Sequence, residues 1–456
     1  MSAARHTKPL LWLLLAGAAS AAESCRLEIV DKENGWPVPL VELRTTHEAR
    51  YVSDNAGLIA LEDADLLDRE VWFHVKGHGY EVKKDGFGFH GVRVTPKAGG
   101  KLRIEVERKN VAKRLGRLTG AGMFAESGKL GIKAPLPETG VFGCDSVLMT
   151  KHGSKLFWLW GDTSMPNYPL GVFDSTAALT DLQPLKKFET PIAMPYKHFR
   201  DDKGKPRGVA KMPGDGPTWL GGMASVPDKE GTPQLVALYS KIKGHLDEYE
   251  VGLCRWEEKE QSFQKVQAMW KDGDGKKPSL LLRGHPFAWS DPAGKKWLLF
   301  GDPFPEARCE ATYESWSDPK TWEKIEAPAA PRSAEDGSEV KPHRGSVVWS
   351  PFRKRWIAIF TQTFGKPSLF GEIWYAEADS PMGPWGKAVK VLTHDNYTFY
   401  NPKIHPELTP EGASFIVFEG TYTAEFADKP LPTPRYNYNQ ILYRLDLDDP
   451  KLAGAK

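Results

Sequence analysis

The sequence predicts an all-β chain: a five-bladed β-propeller preceded by a small β-sandwich. Three observations carry this expectation. After residue 140, a strand, a polar turn and a second strand ending in an aromatic residue recur five times. The terminal aromatics Trp160, Tyr239, Phe300, Phe360 and Phe418 lie 79, 61, 60 and 58 residues apart, which suits four strands per unit and units that must pack on one another. Finally, 43 Gly and 36 Pro in 456 residues mark a turn-rich chain.

Taken in order, residues 1–22 have the pattern of a secretory signal. Arg5 and Lys8 precede the apolar run Leu10 to Leu15, and small residues Ala18 to Ala22 follow. That run is too short to span a bilayer as a permanent helix, and no later segment is long enough. The expectation is a secreted or periplasmic protein with no integral membrane segment. A formal charge of +2, from 61 basic and 59 acidic residues, gives no reason to expect nucleic acid as a partner. Four cysteines are too few for a disulfide scaffold, and Cys254 with Cys309 is the expected pair if one bridge forms. No Cys/His zinc spacing, Walker loop or nucleophile elbow is present, so neither metal nor cofactor is expected.

Residues 24–108 alternate short β-patterned runs with turns such as Asn34-Gly35 and Asp54-Asn55-Ala56-Gly57, which reads as a sandwich. The phrases Pro37-Val38-Pro39-Leu40, Tyr51 to Gly57 and Gly79-Tyr80 resemble carboxypeptidase-regulatory or transthyretin-like modules. That resemblance implies an accessory spacer or sugar-binding domain. Residues 109–139 open with the basic run Arg108 to Arg114 and read as a solvated linker. The propeller is expected over 140–447. Its second strands are Leu156–Trp160, Leu235–Tyr239, Trp297–Phe300, Trp356–Phe360 and Phe415–Phe418; third strands include Glu310–Trp316. Pro191 to Thr218, rich in Pro, Gly and Lys, is expected to overhang the ring.

Within the first unit, Gly143 to Thr163 reads as a β-hairpin turning at His152-Gly153. This fold brings Asp145 and Asp162 to one open end as neighbours. Two carboxylates that close repel, so one is expected to hold a proton near neutral pH. Glycosidic cleavage needs a protonated and an ionised carboxyl group. The same register places the residues after each terminal aromatic, and the starts of the inner strands, at one mouth. Glu419 is the expected third catalytic acid, because closure brings the fifth unit beside the first. His285, Asp302, His343, Arg344, Gln362, Asn401 and Tyr422 are the expected substrate-binding groups. Sixteen Trp supply rings of the kind that stack on sugars.

The five units, with Gly161-Asp162-Thr163 and Ser380-Pro381-Met382-Gly383-Pro384-Trp385, resemble the five-bladed β-propeller glycosidases. That superfamily includes arabinanases, β-xylosidases and levanase-like enzymes. The hairpin Asp145…Gly161-Asp162-Thr163 is similar to the branch that contains endo-D-arabinanases. The resemblance implies a polysaccharide or oligosaccharide partner and a first-blade Asp base, matched here by Asp145. The chain departs from the pattern at Gly221-Gly222-Met223-Ala224-Ser225 and Gly284-His285-Pro286, so the family's acid triplet does not carry over whole. A sugar-binding propeller without catalysis, or a polysaccharide lyase using His285, His343, Arg344 and Tyr422, are the alternatives.

Overall fold

The computed structural model describes residues 23–123, 125–132, 140–182 and 190–455. The signal expected over 1–22 lies outside the described residues. Five four-stranded antiparallel sheets follow one another as blades. Blade 1 is built from Leu148–His152, Lys155–Trp160, Thr176–Asp181 and Lys197–His198. Blade 2 is Thr218–Pro227, Pro233–Lys243, Asp247–Glu257 and Ser262–Lys271. Blade 3 is Phe287–Ser290, Lys296–Gly301, Pro305–Glu310 and Glu323–Lys324, and blade 4 is Pro342–Ser350, Arg355–Gln362, Ile373–Ala378 and Val389–Leu392.

Blade 5 takes three strands from the C-terminal region, Thr398–Ile404, Phe415–Thr423 and Asn439–Asp446, and its outermost strand from Lys113–Arg117. That last strand lies in the segment expected as a linker. Ile441 pairs with Arg117 and Leu442 with Gly116. The two ends of the propeller sequence are thus stitched into one sheet. The charge run misleads because its last arginine is buried: Arg114, and Arg117 just beyond the run, turn inward and donate to backbone carbonyls.

Apolar clusters fill the spaces between blades, as a ring of sheets requires. Phe157, Leu159, Tyr239, Cys254 and Trp256 pack between blades 1 and 2, and Leu253, Phe300, Cys309 and Trp316 between blades 2 and 3. Strand alternation therefore separates the two cysteines expected to pair. Cys254 points to the opposite face of its strand from Leu253, and Cys309 packs on the Leu253 side. All four cysteines are free and buried. Trp160 and Phe300, two of the terminal aromatics, are buried in the core.

Two further expectations are corrected. The third strand of blade 3 ends at Glu310, and Tyr313–Ser317 is a short helix. Thr312 starts it by accepting a hydrogen bond from the Ser315 amide, which offsets an unpaired donor of the first turn. The stretch from Pro191 to Thr218 does not overhang the ring. Lys197–His198 is the outer strand of blade 1, and Ile192, Met194, Val209, Ala210 and Met212 are buried.

Ahead of the ring, two four-stranded sheets share one apolar core. Leu58–Leu61, Cys25–Asp31, Lys101–Arg108 and Tyr80–Glu81 form the first. Arg50–Val52, Glu42–Thr45, Val71–Lys76 and Gly91–Val94 form the second. Leu27, Ile29, Leu43, Ile59, Phe73 and Val106 fill the space between them. No helix among the described residues is long and apolar enough to cross a membrane.

Candidate active site

The blade 1 hairpin forms in the expected register, with Leu148 opposite Leu159 and His152 opposite Lys155. At its open end the Asp145 amide donates to the Asp162 carbonyl and the Gly161 amide to the Asp145 carbonyl, each at 2.9 Å. Backbone pairing therefore fixes the two aspartates side by side. Between Trp160 and Thr176 the chain makes an extra ribbon, Thr163–Met165 and Tyr168–Val172, which joins Gly143–Cys144 in a three-stranded sheet. With residues 425–438 the ribbon borders an open cleft of about 860 Å³. Asp162, Glu425, Arg435, Asn437 and Tyr438 supply its polar lining, and Phe142 and Tyr168 its aromatic one.

Tyr438 bridges the aspartates. Its hydroxyl lies 3.1 Å from Asp145 Oδ2 and 3.4 Å from Asp162 Oδ2. A hydroxyl has one proton to donate, so a single Tyr can satisfy both carboxyls only if one brings a proton of its own. The surroundings decide which. Asp145 Oδ1 accepts from the Tyr400 hydroxyl at 2.8 Å, from Thr421 at 3.4 Å and from Ser146. Burial raises the Asp145 carboxyl above its ordinary range, and the Ser146, Tyr400, Tyr438 and Thr421 hydroxyls oppose that rise. Asp162 has fewer donors, and its buried Oδ1 has no protein partner among the described residues. Burial first, and the Asp145 charge second, push Asp162 up to about 7. Asp145 is the ionised member and Asp162 the proton carrier.

Backbone strain concentrates here. Ser146, Asn401 and Tyr438, none of them glycine, have φ of 47°, 52° and 60°, and such residues persist where surrounding contacts hold them. Asn401 occupies an irregularity in the inner strand of blade 5, between Tyr400 and Lys403, and donates to Ser146 Oγ. Gly143 is required for a different reason. A Cβ there would lie 2.1 Å from the Tyr438 carbonyl oxygen, so any side chain would push Tyr438 off the pair.

The remaining expected residues divide. Arg344 and Asp302 form an ion pair at 2.6 Å, with Arg344 half exposed, and Asp302 also accepts from the Gly345 amide at 2.8 Å. His343 packs against the Phe370 ring at 4.7 Å. Both histidines are held below their ordinary pKa, chiefly by burial. His285 is itself buried. Gln362 uses its side-chain oxygen to accept from Trp374 Nε1 at 3.0 Å, a packing role. Tyr422 is correct in neither place nor partner: it is buried at the sandwich boundary, with its hydroxyl 3.0 Å from His78 Nδ1 and 2.9 Å from Thr433 Oγ1.

Glu419, expected as the third acid, faces the closed seam between blades 5 and 1. Fully buried, it bonds His405 Nε2 at 2.7 Å, and burial pushes it up to about 8. Strand alternation explains the misplacement, because Glu419 shares a face with Val417, which packs against blade 1. Glu419→Gln keeps the size and one hydrogen bond, and should leave turnover close to that of the wild type when both are assayed on the same substrate. The group that sequence reasoning missed in its stead is Glu425, exposed at the cleft and raised by burial and then by the Asp145 charge. Tyr400 and Tyr438 were missed as well. Tyr400-Asn401-Pro402 lies within an inner strand and carried a usable signal, whereas Tyr438 sits in a loop with no local pattern.

No protein-family model matches this chain, and no curated protein matches it. Solved structures do. One is the exo-β-1,3-galactanase of Phanerochaete chrysosporium with β-1,3-galactotriose, at 11% identity and TM-score 0.40, over 67% of this chain and 61% of that one. Another is an exo-1,5-α-L-arabinanase from a bovine ruminal metagenomic library, at 10% identity and TM-score 0.38, over 67% and 93%. The arabinanase of Bacillus subtilis is similar at 12% identity and TM-score 0.33, over 66% and 96%. Likeness at this level assigns no reaction or substrate to the present chain.

Proposed function

We propose that this protein is a glycoside hydrolase acting on a polysaccharide or oligosaccharide. The observation that carries the proposal is the Asp145–Tyr438–Asp162 bridge beside an open, aromatic-lined cleft. One carboxyl is set to donate a proton and its neighbour to stay ionised, the division that glycosidic cleavage uses. Asp162 protonates the leaving oxygen as the bond from that oxygen to the anomeric carbon breaks. Asp145 takes up the anomeric carbon, and Asp162, now a carboxylate, accepts a proton from the water that releases the sugar. Tyr400 and Tyr438 hold Asp145 in place by donating to it.

The lyase reading loses its support, because Tyr422 is buried at the sandwich boundary and, among the described residues, no histidine lines the cleft. Export through residues 1–22 is part of the proposal. The rim pairs Arg344 with Asp302 and exposes carboxylates at the cleft, so a neutral or weakly anionic chain suits it better than a heavily sulfated one.

A panel of polysaccharides, followed for new reducing ends and separately for the ultraviolet absorbance of unsaturated uronates, tests the reaction. Reducing ends alone are expected; absorbance as well would mean a lyase, and neither would mean a binding protein. Stereochemistry gives a further check. The nearest oxygens of the two carboxyls share one hydroxyl, at 3.1 and 3.4 Å, so they fall at or below the short end of the about 6.5–9.5 Å that an inverting pair needs for an intervening water. Retained anomeric configuration is expected by proton NMR of the first product. Inversion would remove Asp145 as the partner of Asp162.

A further inference from the structure

Five features of the sandwich and the closing segment converge on one loop. Residues 424–438 leave the second strand of blade 5, border the cleft with Glu425 and end at Tyr438. This loop carries Phe426, Lys429, Arg435 and Tyr438 at φ of 58°, 48°, 64° and 60°, a strained course that outside contacts must hold. Arg50 of the sandwich donates to the Pro432 carbonyl at 3.1 Å while its other nitrogens grip Glu42. His78 reaches Thr433 through the Tyr422 hydroxyl. Asn55 clamps Arg117 by donating to its carbonyl and accepting from its amide, both at 2.9 Å. Arg117 in turn donates to the Arg435 carbonyl at 2.6 Å and lies over the Tyr436 ring. Glu126 accepts from the Ala60 amide at 3.0 Å with one oxygen and pairs with Arg435 at 2.6 Å through the other.

We infer that the N-terminal sandwich is a positioning domain for the active site, holding the 424–438 loop so that Tyr438 meets both aspartates. This differs from the expectation of a spacer or separate sugar-binding module, and it rests on the hydrolase reading only for its kinetic consequences. A domain tethered by a free linker would touch the catalytic loop nowhere. Here the sandwich bonds Pro432 directly and reaches Thr433 through Tyr422 and Arg435 through Arg117 and Glu126, the stretch just before Tyr438. Arg50 and Glu126 are positioning residues: neither lines the cleft beside the aspartates, and each acts through the loop.

The test uses the purified protein with Arg50→Ala and Glu126→Gln, the rescue variant Arg50→Lys, and Arg26→Ala as a control. Arg26 pairs with Glu28 in the other sheet of the sandwich, so its loss perturbs the domain without touching the loop. Glu126→Gln keeps an oxygen for the Ala60 amide but turns an amide toward Arg435, so it tests the loop contact even if Arg50→Ala folds poorly. On the polysaccharide that the wild type cleaves, kcat should fall by about ten- to a hundredfold with little change in KM, since a misplacement of about 1 Å at the reacting centre can cost about a hundredfold. The acid-side limb of the pH profile should move upward, because Asp145 loses a donor that favours its ionisation. Arg50→Lys should recover part of kcat. Hydrogen exchange over 424–438 should quicken in both test variants and stay unchanged in the control. Unchanged exchange and kcat in Arg50→Ala and Glu126→Gln would overturn the inference. If the wild type cleaves nothing, the hydrolase reading fails by itself, and exchange over the loop still decides the positioning role.

Discussion

Asp162→Asn is expected to abolish turnover and, at pH 7, to make the protein harder to unfold. The first effect follows from the proton that Asp162 supplies; losing a general acid costs on the order of 10²–10⁴-fold. The second follows from linkage. Folding raises the Asp162 carboxyl from 3.8 to about 7, so the native state binds its proton more tightly than the unfolded chain does. Below pH 4 both states are protonated and the group costs nothing. As pH rises from about 4 to 7 the unfolded state ionises first, and stability falls; above 7 the loss is complete. Taken whole, the shift corresponds to roughly 4 kcal/mol. Solvent at the cleft reduces that to about 1–2 kcal/mol for a partly exposed group. Asn carries no such penalty, so its advantage in thermal denaturation should be present at pH 7 and absent at pH 4. Asp145→Asn should also be inactive but less stable, because Asp145 receives four hydroxyl groups and Asn offers them one oxygen. Activity of the wild type should be bell-shaped in pH, rising as Asp145 ionises and falling through about 7 as Asp162 loses its proton.

Arg114→Met should destabilise the protein by about 3–5 kcal/mol, the scale for breaking a buried charged network. Arg114 is buried in the strand Lys113–Arg117. Its guanidinium donates to the carbonyls of Pro39, Leu40 and His78 and to the Tyr443 hydroxyl, and it lies over the rings of Tyr80 and Tyr443. Methionine fills the space but leaves those carbonyls without a donor between sandwich and propeller. Calorimetry should show a large drop in the unfolding temperature. A change below about 1 kcal/mol, typical of exposed sites, would mean that water replaces the guanidinium at little cost.

The parts of this molecule that were legible in the sequence are those governed by short-range periodicity. The Asp145/Asp162 pairing followed from a hairpin whose two strands alternate on either side of an obvious turn, so the register left one answer. Glu419 and Tyr422 lie on the continuation of the strand expected over Phe415–Phe418, both faces of which are buried, and apolar character cannot say which face meets the cleft. Tyr438 reaches Asp162 across 276 residues of sequence, a distance over which no pattern of residue types carries information. The strand Lys113–Arg117 hid for the opposite reason. Its basic residues look solvated, and only the convergence of carbonyls from three segments lets two of them go inside.

The pairing of Arg117 with Ile441 also sets the order in which this protein can mature. A strand made early must wait, edge unpaired, until more than three hundred further residues exist to meet it. Contacts of such long range slow folding, and an open sheet edge invites pairing with other chains. Premature termination within blade 5, before Asn439, would therefore yield not a four-bladed remnant but a sticky, unlatched ring, so the last strand acts as the checkpoint for closure.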